Sequence, residues 1–294
     1  MVNKSLVSIV IPSYNSERFI TRCLTSLISQ KADIEYEIIV VDSSKDETPK
    51  IVREKFPSIK LIHLDKQALP GAGRNFGVRE AKGDILAFID SDCIAHSNWI
   101  NSVVKGINQG YSIVGGAIKN ATPYSFIGIA DYILTFNEFL PGMPKREVTF
   151  LPTCNFICRK NVFEDIGGFP PDWAAGEDFL FCYKASQKYK LLFTQSVIVS
   201  HINREHFKKF LIHHYSFGQH GAMTRKKLKL PGTIFTKHLL LALLIPFVRF
   251  LRISWRIVRW NKKLLPQFIF TFPLVIIGIN AWSFGFIRGC VKIR

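Results

Sequence analysis

The chain has 294 residues, enough for one large α/β domain with an appendage, and a formal net charge of +17. That charge is uneven: residues 1–200 hold 22 Lys+Arg against 21 Asp+Glu, and residues 201–294 hold 17 against the single acid Glu205. The basic residues of the last third are interleaved with long apolar runs, which argues against a solvated nucleic-acid-binding tail and for an anionic membrane.

Residues 6–11 are an apolar, β-favouring run that reads as a first strand ending at Pro12. Residues 17–29 repeat Phe19/Ile20, Cys23/Leu24 and Leu27/Ile28 on one helical face. A second strand, 37–41, ends at Asp42. Residues 47–55 read as a helix, 59–64 as a third strand and 73–81 as a helix. Residues 85–89 read as a buried fourth strand running into Asp90-Ser91-Asp92. Alternation at this spacing predicts a mostly parallel, Rossmann-like α/β sheet flanked by helices, with right-handed crossovers. After Trp99 the pattern becomes mixed. A strand near 112–118 precedes an aromatic helical stretch, 124–140; a strand at 156–158, a helix at 177–188 and a strand at 191–199 follow. The expected domains are residues 1–205, catalytic, and 206–294, amphipathic and hydrophobic helices.

None of the six cysteines forms a CxxC pair or a zinc-like pattern, so reduced thiols in a cytosolic compartment are expected. The N-terminus leads directly into a strand without a signal peptide, which keeps the first 200 residues on the side of synthesis.

Asp90 and Asp92 sit at the carboxyl end of a buried strand, where open α/β sheets bind ligands. Spaced i and i+2, they suit one hard divalent cation and the diphosphate it holds. Taken alone, Asp92 could equally cap a helix starting near residues 97–99. Its neighbours change the balance. The segments Val7-Ser-Ile-Val-Ile-Pro-Ser-Tyr-Asn15, Val40-Val-Asp-Ser-Ser-Lys-Asp-Glu-Thr48, Gly71-Ala-Gly-Arg-Asn-Phe-Gly77, Ala81-Lys-Gly-Asp84 through Asp92, Asn155 with Gly167-Gly-Phe169, and Gly176-Glu-Asp178 occur in order. Together they resemble the family 2 glycosyltransferases of the GT-A fold, over roughly residues 5–205.

The resemblance implies that Pro12, Tyr14 and Asn15 form a nucleotide loop and that Asp90, with Ser91, contacts the ribose. It implies that Asp92 binds a divalent metal, manganese or magnesium, and that the family inverts configuration. Asp178 is then the base that takes the acceptor hydroxyl's proton, and Glu177 orients it or the acceptor. The alternative for this acid pair is to favour the positive end of a helix. Asp42 can accept from a base N–H, or cap the turn that follows it. Arg74 offers a planar fork for phosphate, or pairs with an acid. Asn75 belongs to the segment that closes over the nucleotide, and is equally compatible with a structural role. His201, after the last strand, is a candidate to complete the metal shell, and the alternative is a satisfied polar residue. His213, His214 and His220 show no ligand pattern and read as a solvated face.

In the tail, Arg249, Arg252, Arg256 and Arg259 recur on one side of a helix whose remainder is apolar, the composition of a helix lying in an anionic interface. Residues 264–287 carry no charge, and as one helix of about 36 Å would cross a bilayer. The alternative is a buried hairpin of helices against the catalytic domain or a partner; Pro266, Pro273, Gln267 and Asn280 permit that, or a bent, re-entrant segment. All proposed nucleotide contacts precede Lys208, so a cut near Pro231 is expected to release a folded domain. The first expectation is an inverting, metal-dependent glycosyltransferase on the cytosolic membrane face, moving sugar from a nucleotide-sugar to a lipid-linked or cell-envelope glycan. The second is a non-catalytic nucleotide-sugar-binding scaffold. A nucleotidylyltransferase would want a glycine-rich loop with Arg after the first strand, and Pro12-Ser-Tyr-Asn15 is not one.

Overall fold

In the computed structural model, which describes residues 6–230 and 232–292, the first apolar run forms β1 (Val7–Ser13). The strand passes through Pro12 instead of stopping there. Val10 O accepts from Ile89 N, and Ser13 O from Ser43 N, so alternate residues face the two neighbouring strands. By that alternation Pro12 faces the side where the ladder ended at Val10, and its missing N–H costs no bond.

The chain then builds α1 (Ile20–Ile28), β2 (Tyr36–Asp42), α2 (Thr48–Lys55), β3 (Lys60–His63), α3 (Pro70–Arg79) and β4 (Ile85–Phe88). β1 to β4 are parallel, ordered β3-β2-β1-β4. After them come β5 (Cys93–Ala95), α4 (Trp99–Ile107), β6 (Ile113–Asn120), α5 (Phe126–Phe136), β7 (Arg146–Val148), β8 (Phe156–Arg159), α6 (Lys160–Ile166), α7 (Glu177–Ala185) and β9 (Leu191–His201). β8 runs antiparallel to β4 and β6, and β5 and β7 antiparallel to β9. The sheet is thus parallel in its first half and antiparallel in its second, where the sequence pattern turns mixed.

Phe88, Phe156, Phe163, Phe169 and Phe181 form one aromatic cluster between β4, β8, α6 and α7, with Phe169 and Phe181 centroids 4.9 Å apart. Each buried ring contributes roughly 2–3 kcal/mol. The cluster sets the start of α7 against the end of β4, the two places where the acids lie.

The first unit comprises Met1–Lys119 and Pro144–His201; the second comprises Asn120–Met143 and Ile202–Arg294. The helical unit therefore takes in α5, which the sequence order placed in the α/β domain. It continues with α8 (Phe207–Leu228), α9 (Ile234–Lys237), α10 (Leu239–Ala242), α11 (Ile245–Trp260), α12 (Leu265–Phe270) and α13 (Phe272–Lys292). The uncharged run at 264–287 is not one helix: it breaks at Thr271, between helices carrying Pro266 and Pro273 in their first turns. Within this unit α13 packs along α8 at glycine contacts. A Cβ on Gly218 would lie 1.8 Å from Trp282 O, and one on Gly285 1.9 Å from Tyr215 O. Only glycine allows backbones this close.

α13 also packs on α5. Removing it would uncover the faces of α8 and α5 against which it packs; Pro231, where the cut was expected, lies outside the described residues. His214 corrects the expectation of a solvated face. It is buried, with Nε2 2.9 Å from Asp131 Oδ1 on α5. Asp131 also accepts from Arg204 N at 3.0 Å. Burial works against the Asp131 charge, but His214 and Arg204 outweigh it and hold the carboxyl well below the usual range.

Candidate active site

Three loops at the carboxyl ends of β1, β2 and β4 are tied to one another. Asn15, at φ 51, donates its N–H to Ser44 Oγ at 2.7 Å, and its Oδ1 accepts from Lys45 N at 3.1 Å. Ser16 Oγ lies 2.8 Å from Ser91 Oγ. Tyr14 between them is exposed. Asp42 is fully buried: Oδ1 accepts from Ser44 Oγ, and Oδ2 from Ser44 N at 3.1 Å and lies 2.8 Å from His63 Nδ1. The Ser44 bonds cap the turn after β2, and His63 reaches Asp42 from β3. His63 escaped sequence reasoning, although it ends β3 in register with Asp42.

Arg74 takes the acid-pairing alternative. Buried on α3, it donates through Nη2 to Asp90 Oδ1 at 2.6 Å and through Nη1 to Glu177 Oε1 at 2.7 Å. Burial opposes its charge, but Asp90 and Glu177 outweigh it and its pKa is raised. Its fork thus joins the loop after β4 to the first turn of α7, and Glu177 lies 103 residues further along the chain. Asn75 is structural in the same sense. Its Nδ2 donates to Phe169 O at 2.7 Å and its Oδ1 accepts from Phe169 N at 3.0 Å, clasping the turn before α7.

α7 begins after Gly176, whose φ of 83 turns the chain in a conformation that favours glycine. Glu177 is spoken for by Arg74. Asp178, half-buried, accepts from Phe179 N at 2.7 Å. Burial, with the neighbouring Glu177 carboxylate, raises the Asp178 pKa to about 7. A carboxyl poised there suits proton transfer near neutrality. Asp90, Asp92 and Asp178 all bear on the buried Cys154 thiol, so they form one acidic cluster.

β5 pairs with β9 so that Cys93 opposes His201, which brings Asp92 beside a histidine 109 positions later. Asp92 Oδ1 and His201 Nε2 lie 3.5 Å apart, and with Cys93 Sγ all three atoms lie within 4.8 Å of one another. Burial and the Cys154 contact push the Cys93 thiol well above its ordinary pKa, so it stays protonated at neutral pH. That leaves one carboxylate and one imidazole, a donor set suited to manganese or magnesium, at a separation one cation can span. All six cysteines are buried thiols.

The model of the family described as Glycosyl transferase family 2 matches residues 8–167. Among curated proteins, glycosyltransferase AglE of Haloferax volcanii is 33% identical over 203 residues, covering 66% of each chain. A Methanococcus voltae dolichyl N-acetyl-alpha-D-glucosaminyl phosphate 3-beta-D-2,3-diacetamido-2,3-dideoxy-beta-D-glucuronosyltransferase is 26% identical over 98% of both. The chain thus spans just under two thirds of AglE's length, and 47% of the next curated relatives. Among solved structures, the mannosyltransferase PcManGT of Pyrobaculum calidifontis, in complex with GDP-Man and Mn2+, superposes with a TM-score of 0.60 at 17% identity, over 96% of this chain and 87% of that one.

Proposed function

The chain belongs to glycosyl transferase family 2, with the GT-A fold, and we propose that it works by inversion, moving a hexosyl-type sugar from a nucleotide-sugar to a lipid-linked or cell-envelope glycan at the cytosolic face of a membrane. Asp178 carries this reading. Burial and the neighbouring Glu177 carboxylate raise its pKa to about 7, while Arg74 engages both Asp90 and Glu177. In the proposed reaction Asp178 Oδ takes the proton of an acceptor hydroxyl as that oxygen attacks the anomeric carbon. The bond from that carbon to the nucleoside diphosphate breaks on the opposite side. Glu177, fixed by Arg74, keeps the start of α7 in register with Asp90.

Asp92 and His201 would hold a divalent cation, manganese or magnesium, which neutralises charge gathering on the departing diphosphate. Asp90, Ser91 and the loop of Pro12, Tyr14 and Asn15 are proposed to position the nucleotide. Asp42 and Asn75 support this through the loops they brace, and Arg74 does so by holding Asp90. Membrane association is supported by the exposed apolar faces of α10 to α12 and by α13, whose residues Phe272–Val291 are long and apolar enough to cross a bilayer. Lipid-linked acceptors are also what the Methanococcus voltae relative's name describes.

The test is release of nucleoside diphosphate from a panel of nucleotide-sugars, with and without membrane lipids, before and after chelation. Release that needs manganese or magnesium and rises with lipid acceptor supports the proposal. Binding of nucleotide-sugar without release under any condition would instead favour the non-catalytic scaffold.

A further inference from the structure

α11 has three faces. Ile253 and Ile257 are buried inward, and Phe247, Leu251, Trp255 and Val258 are exposed along one side. Arg249, Arg252 and Arg256 lie between these faces, on successive turns.

Among the described residues the arginines face little negative charge. Arg256 Nη2 reaches Glu138 Oε1 at 2.7 Å, and Arg252 Nη2 reaches the same oxygen at 3.6 Å. Arg256 Nη1 donates to Asn137 Oδ1. Arg225, on α8, donates Nη1 to the carbonyl of Gly221 at 3.0 Å. Arg249 has its guanidinium 4.1 Å from the Trp282 ring centroid, and its Nε is shut off from solvent with no acceptor among the described residues. Among the described residues, Glu138 is thus the carboxylate that acts on all four guanidinium groups. Burial, with the other arginines, lowers the pKa of both Arg225 and Arg249. Arg252 is exposed, but holding Arg225 and Arg249 buried beside other arginines is costly, and the cost is relieved when an anion enters.

We infer that Arg225, Arg249, Arg252 and Arg256 form a binding site for the phosphate group of a membrane lipid. The guanidinium fork matches phosphate oxygens two at a time. A lipid carrier explains the rest of the helix: the exposed row from Phe247 to Val258 runs beside the arginines, so phosphate and apolar chain are both accommodated. The 17 basic residues against one acid over 201–294 draw the same unit to an anionic leaflet. This inference rests on the membrane association proposed above.

The experiment uses the full chain and measures binding to phosphatidylcholine vesicles doped with a polyisoprenyl monophosphate, to the same vesicles doped with phosphatidic acid, and to inorganic phosphate. Arg249→Gln should weaken binding to phosphate-bearing vesicles by about tenfold or more, the scale of a lost charged hydrogen bond. Arg249→Lys should recover part of that loss. Glu138→Gln should tighten binding, because the competing carboxylate is gone, and a damaged fold cannot imitate a gain. Preference for the polyisoprenyl arm identifies a prenyl carrier, and equal binding in both lipid arms identifies a general headgroup site; both support the inference. Arg249→Gln binding like wild type, weaker binding by Glu138→Gln, or inorganic phosphate binding as well as either lipid would overturn it. Vesicle binding that ignores phosphate lipids sinks the inference and leaves membrane association standing. No vesicle binding at all ends both.

Discussion

The α/β unit and the helical unit bury opposite surpluses of charge. In the first, Arg74 answers two carboxylates, Asp90 and Glu177, while Asp92 and Asp178 belong to the same acidic cluster. In the second, Glu138 answers Arg252 and Arg256 among the described residues, with Arg225 and Arg249 beside them. Asp131 sets the contrast: in the helical unit it is buried but fully compensated by His214 and Arg204. Buried charge in balance is structural. A surplus of one sign marks the place where a ligand of the other sign, or a mobile proton, completes the arrangement.

The largest expected effect tests the balanced case. Asp131→Asn leaves Arg204, itself about a third exposed, beside a buried neutral amide and should cost about 3 kcal/mol, the low end of the scale for breaking a buried pair. Urea unfolding of the full chain in detergent measures it. A loss below about 1 kcal/mol would show that Asp131 is not part of the structural core.

Next comes Asp178→Asn, which keeps the shape and removes the base. Transfer should fall by about 10² or more with nucleotide binding kept. In the wild type kcat should rise with pH through about 7 as Asp178 loses its proton, and that limb should vanish in the variant. The stability sign is opposite. A carboxyl with a raised folded pKa binds its proton more tightly when folded, so stability falls as pH climbs from about 4 toward 7. Asp178→Asn should flatten that slope. If turnover and pH profile both survive, the base lies elsewhere.

Asp92→Ala should remove most of the metal-dependent part of donor binding, by roughly tenfold or more. Nucleotide titrations with and without manganese decide it, and an unchanged metal response would move the cation site away from Asp92 and His201. The smallest expected effect belongs to Arg259, which stacks on Trp260 at 4.3 Å at the end of α11. Arg259→Gln should weaken binding to anionic liposomes by about 1 kcal/mol, near fivefold. A loss as large as that expected for Arg249→Gln would erase the distinction between a diffuse basic surface and a built site.

Much of this was legible in the chain itself. Short apolar runs leading into Asp42 and Asp90 mark strands and their carboxyl ends, because side-chain period and turn residues are local properties, although β1 ran on through Pro12. The motif order pointed to the family; the mixed pattern after Trp99 did not say that this half of the sheet is antiparallel. Local pattern could not say which groups would spend their hydrogen-bonding capacity on one another. Arg74 looks like a phosphate ligand until Asp90 and Glu177 are seen on its two arms, and Asn75 until Phe169 is seen against both of its amide atoms. His214 looks solvated until Asp131, 83 positions earlier, is found beside it. A compact tail after residue 205 looks separable until α5, from mid-chain, is found packed beneath α13. The sequence by itself determined the strands, the acids at their ends and the surplus of basic residues after 201. Tertiary structure alone decided which charges are neutralised, because an ion pair depends on distances of a few ångströms between residues that chain order keeps far apart.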